Sequence, residues 1–73
     1  MITTTVGIEG MACGMCEAHI NDAIRRNFAV KRVKSNRRKK TCVITSREQL
    51  DEGAIKKVVG DLGYDVVSYA VAQ

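Results

Sequence analysis

The sequence predicts an α+β fold, and three observations predict it. Residues 2–9 alternate with period two, further short segments are rich in β-branched residues, and two others carry apolar residues at helical spacing. The segments run in the order β-α-β-β-α-β, and their two βαβ halves are weakly similar, with no linker or low-complexity stretch. That order is the ferredoxin-like βαββαβ sandwich, an antiparallel four-stranded sheet with two helices on one face. A chain of 73 residues, 45% hydrophobic and 27% charged, suits one domain over 1–73. It excludes a disordered chain and a two-domain enzyme with a deep cleft.

Residues 2 to 9 set Val6 and Ile8 on one face and Thr5, Gly7 and Glu9 on the other, which is a half-buried strand. Gly10 opens a loop. From Cys16 the spacing becomes helical through Ile20, Ala23 and Ile24, with Asn27 as the end. Val30 to Ser35 and Thr41 to Thr45 are strands rich in β-branched residues, joined by the polar tip Asn36-Arg37-Arg38-Lys39-Lys40. Asp51 caps a second helix carrying Ile55, Val58, Val59 and Leu62, and Gly63 ends it. Tyr64 to Val71 is the last strand. Chain direction then brings the first loop, the basic hairpin and the Gly63-Tyr64 turn to one end of the sandwich.

Charge is unevenly spread. Nine of the 12 basic residues fall between positions 25 and 40 without an acid among them, while the rest of the chain is net acidic, leaving +4 overall. Such asymmetry implies a charged partner. No run approaches the roughly 18 apolar residues of a membrane span, and the N-terminus lacks the pattern of a secretory signal, so a soluble cytoplasmic chain without membrane insertion is expected.

Three cysteines cannot form a fully paired disulfide framework. Cys13 lies in the first loop and Cys16 at the start of the first helix, where free backbone N–H groups and the positive helix end favour thiolates. Thiolates select soft or borderline ions, chiefly Cu(I) and Zn(II). A structural zinc site wants four protein ligands, and this chain offers two cysteines plus at best His19. Spacing alone leaves metal binding, a dithiol redox site and unremarkable thiols open. A thioredoxin-like motif would carry Trp and Pro, and the chain has neither.

The block Gly10-Met11-Ala12-Cys13-Gly14-Met15-Cys16, set between a strand and a helix and followed by Gly63-Tyr64 after the second helix, resembles the heavy-metal-associated domain. That fold is found in bacterial copper chaperones and in the N-terminal domains of copper-transporting P-type ATPases. The resemblance covers essentially the whole chain, and Glu17-Ala18-His19-Ile20 looks especially like the bacterial chaperone version. It implies Cu(I) held by Cys13 and Cys16 and passed by thiolate exchange to a partner domain, here an acidic metal-binding domain of a copper-transporting ATPase. It also implies that Met11 packs under the loop and that Tyr64 shields the ion. Asn27-Phe28 and Ala29-Val30 depart from the family's usual residues, away from the metal loop.

Other residues near the site have two readings each. His19, one turn past Cys16, is either a further ligand, linked to a copper-bridged homodimer, or a surface imidazole. Met15 is an apolar contact for a partner or a tolerated loop residue. Cys42, in register with Ile44, is expected in the core. Arg37, Arg38, Lys39 and Lys40 either dock an acidic partner or only solubilise the tip. A nucleic-acid-binding domain is the competing class for so basic a segment, but the aromatic platform it needs is missing, so no nucleic acid partner is expected. A zinc or mercury binder of the same fold is the other alternative.

Overall fold

Thr4, Val6 and Ile8 of β1 (Ile2–Glu9) are fully buried, as strand alternation requires of the face turned to the helices. The computed structural model describes residues 1–73. After β1 come α1 (Gly14–Asn27), β2 (Arg32–Asn36), β3 (Thr41–Ser46), α2 (Glu52–Asp61) and β4 (Asp65–Ala72), in the order expected from the sequence. The sheet runs β2-β3-β1-β4 with every neighbouring pair antiparallel. Ile20 and Ile24 of α1 and Ile55 and Val59 of α2 close on Val6, Ile8, Val33, Cys42 and Ile44 of the sheet. Each of the larger side chains contributes about 1.5–3 kcal/mol by leaving water. Phe28 and Val30 pack against the rim of this core.

Several element ends differ from the sequence reading. α1 begins at Gly14 rather than Cys16, because Cys13 serves as N-cap and its carbonyl accepts from the N–H groups of Cys16 (3.1 Å) and Glu17 (3.4 Å). β2 begins at Arg32 rather than Val30, and β4 at Asp65 rather than Tyr64. Asn36 ends β2 instead of sitting in the turn, and its side-chain oxygen accepts from Arg38 N and Lys39 N, both at 3.0 Å. That Asx turn, followed by Lys40 in the left-handed region at φ 56°, shapes a hairpin that has neither Gly nor Pro. Gly7 is buried although it lies on the outer face. Ser68 of β4 crosses over it, leaving no room for a Cβ, and the β1–β4 register slips between Gly7 and Ile8.

Register puts Glu9 beside Asp65 and Gly7 beside Thr41. The first loop, the hairpin tip and the start of β4 therefore share one end of the sandwich, as the chain direction requires.

Candidate metal centre

Three local structures build the site at that end. The first is the loop from Gly10 to Cys13, which leaves β1 through Gly10 at φ 106°. A side chain there would be strained, and its Cβ would come 3.2 Å from the Tyr64 ring. Met11 anchors the loop by packing, partly buried, against the core. The second is the first turn of α1, which carries Cys16. The third is the end of α2, where Gly63 at φ 96° forms a Schellman turn: Gly63 N donates to Gly60 O at 2.9 Å and Tyr64 N to Val59 O at 3.3 Å. That turn seats Tyr64 against the core and beside the loop.

Cys13 is exposed, Cys16 half-buried, and their Sγ atoms lie 4.0 Å apart as free thiols. Two metal–sulfur bonds of about 2.3 Å would span that gap at roughly 120°, wider than a tetrahedral angle. The Cys16 thiol is pulled down from 9.0 to about 7, first by a hydrogen bond from the Tyr64 hydroxyl and then by the backbone N–H groups of Ala12 and Cys13. The same bond pushes the Tyr64 phenol up, because ionising it would lose the donated proton. The pocket thus favours a thiolate at Cys16 near neutral pH, the form that binds soft metal ions.

Other candidates are placed as follows. His19 stays exposed on α1, and no group of three or more His, Cys, Asp or Glu side chains comes together anywhere in the chain. The structure therefore does not add His19 to the cysteine pair. Met15 stands out from the first turn of α1, 68% exposed. Cys42 is buried at 1% exposure, where desolvation raises its thiol, and it pairs with Val6 across the sheet as part of the core.

The four hairpin cations divide into two pairs. Arg37 is bound to Glu17 at 3.2 Å and Lys40 to Glu9 at 3.4 Å, whereas Arg38 and Lys39 have no acidic partner. Nothing local in the sequence divides these four cations or joins any of them to Glu17. The signal available was an acid in the first helical turn, and only topology brings it to a residue twenty positions on.

The heavy-metal-associated domain family matches residues 5–65 of the chain. A probable copper-exporting P-type ATPase of Archaeoglobus fulgidus is 38% identical over 69 residues, or 93% of this chain, and the chain spans 9% of that protein's length. Among solved structures, the CopZ metallochaperone superposes with a TM-score of 0.81 at 24% identity, covering 89% of this chain and 98% of that one. The yeast copper transporter domain CCC2A, solved in apo and Cu(I)-loaded states, superposes with a TM-score of 0.80 at 20% identity, covering 100% of this chain and 97% of that one. Identities this low establish a shared fold. No helix is long and apolar enough to cross a membrane.

Proposed function

The chain belongs to the heavy-metal-associated domain family, and on that premise we propose that it carries one Cu(I) between Cys13 and Cys16 and hands it on by exchange of thiolate ligands. It is a metal-binding domain rather than an enzyme. The observation that carries the copper reading is the ligand set: two sulfurs 4.0 Å apart where the exposed loop enters α1, with no third side chain grouped with them. Two thiolates satisfy a soft monovalent ion of low coordination number, while Zn(II) would be left short of its usual four ligands. An open site also lets an incoming thiolate attack the ion before either resident sulfur leaves, so the metal is never free.

The acceptor in this reading is an acidic metal-binding domain of a copper-transporting P-type ATPase. Arg38 and Lys39, unpaired at the tip beside the metal loop, supply the attraction, and exposed Met15 an apolar contact. Identity with a probable copper-exporting ATPase favours a second standing for the same chemistry, as a metal-binding domain within such a transporter.

Native mass spectrometry of the reduced protein, offered Cu(I) and Zn(II) together, tests the reading. One bound Cu(I), lost on Cys13→Ser or Cys16→Ser, is expected. Preferential zinc retention would overturn the metal, and stoichiometric copper in Cys13→Ser would overturn the site.

A further inference from the structure

Glu17, next to Cys16, is the acidic residue in the first turn of α1. Arg37 engages both of its carboxylate oxygens: the Arg37 backbone N–H donates to Oε2 at 2.7 Å, and the guanidinium donates to Oε1 at 3.2 Å. These two bonds do different work. The backbone bond ties the hairpin tip to the helix whatever side chain stands at position 37, and the guanidinium bond balances charge.

Their location gives that balance a purpose. A Cβ on Gly14 would stand 3.9 Å from Arg37 Nη1 and 3.9 Å from Glu17 Oε1, so the ion pair lies over the residue that follows Cys13. Glu17 gains from the helix N-terminus. It also brings a negative charge close to two sulfurs that become negative when they bind a metal. A monocation held by two thiolates still leaves one net negative charge, and like charges this close oppose each other. Arg37 offsets that repulsion without loosening the latch.

Resting on the reading of Cys13 and Cys16 as metal ligands, we propose that Arg37 is a positioning residue of the metal site: it cancels the negative charge that Glu17, in the first turn of α1, brings to the thiolates.

Charge balance and simple anchoring rank the variants differently. Under charge balance, Arg37→Gln weakens Cu(I) binding about two- to fivefold, as expected of exposed charges at low salt. Glu17→Gln does not weaken it, and the double variant returns to wild type. Under anchoring alone, Glu17→Gln and the double variant are the weak binders, and Arg37→Gln, which keeps the backbone bond, is nearly normal. Affinities come from competition with a chromogenic Cu(I) chelator.

A metal-free arm separates this proposal from the copper reading. Cys13 and Cys16 are alkylated at one pH with anionic iodoacetate and with neutral iodoacetamide, and the ratio of the two rates reports local potential independently of the thiolate fraction. The ratio falls in Arg37→Gln, rises in Glu17→Gln and is restored in the double variant. An unchanged ratio in Arg37→Gln overturns the proposal even if copper binds as expected. The expected ratios in a protein that does not bind Cu(I) would retain the charge balance and remove the copper reading.

Discussion

The Cys16 thiol is drawn down to about 7, first by the hydroxyl of Tyr64 acting as a hydrogen-bond donor to the charged sulfur. Because the bond favours the charged sulfur, the effect has a definite sign. Tyr64→Phe should move the Cys16 pKa upward toward 9.0, leaving less thiolate at pH 7 and weaker metal binding there. Site-resolved mass spectrometry of alkylation against pH measures the midpoint. A midpoint that stays near 7 would mean that the backbone donors suffice.

Gly63 should matter to the site without touching it. Its φ of 96° strains any side chain, while nothing lies within 4 Å of where a Cβ would stand, so Gly63→Ala tests the backbone alone. We expect a loss of about 1–2 kcal/mol in urea unfolding. Tyr64 follows directly in the same turn, so the Cys16 midpoint should rise as well.

His19→Ala should change Cu(I) affinity by less than about tenfold, which is about 1.4 kcal/mol. The exposed imidazole is not grouped with the cysteine pair. Chelator competition gives the value, and a larger loss, or loss of a copper-linked dimer in size exclusion, would make it a ligand.

Cys42→Ser separates folding from binding. The hydroxyl would be placed at a site only 1% exposed, inside the core. Stability should fall by about 1–2 kcal/mol. One Cu(I) should still bind, and a stoichiometric loss would place Cys42 in the site.

The hairpin should split functionally as it splits structurally. Arg38→Gln with Lys39→Gln removes the unpaired charges and should slow copper transfer to an acidic acceptor domain at low salt. The difference should fade as the Debye length falls from about 10 Å at 0.1 M salt to about 3 Å at 1 M. Equal transfer rates at 0.1 M would show that the tip has no docking role.

The sequence by itself determined the element order, the cysteine loop between a strand and a helix, the stop at Gly63 and the inward position of Cys42. Each is written in local terms: a period of two or of helical spacing, a cap, a glycine, a neighbour in register. Chain direction even placed the hairpin at the metal end, since antiparallel pairing leaves the strands little choice. Tertiary structure decided the rest. It fixed that Cys13 caps α1, that Asn36 turns the hairpin, that Ser68 covers Gly7, and that Arg37 and Lys40 spend their charge on Glu17 and Glu9 while Arg38 and Lys39 keep theirs. The physical reason is that an ion pair joining residues 17 and 37 depends on where two separate elements cross and which rotamers meet there. No periodicity along the chain records that crossing.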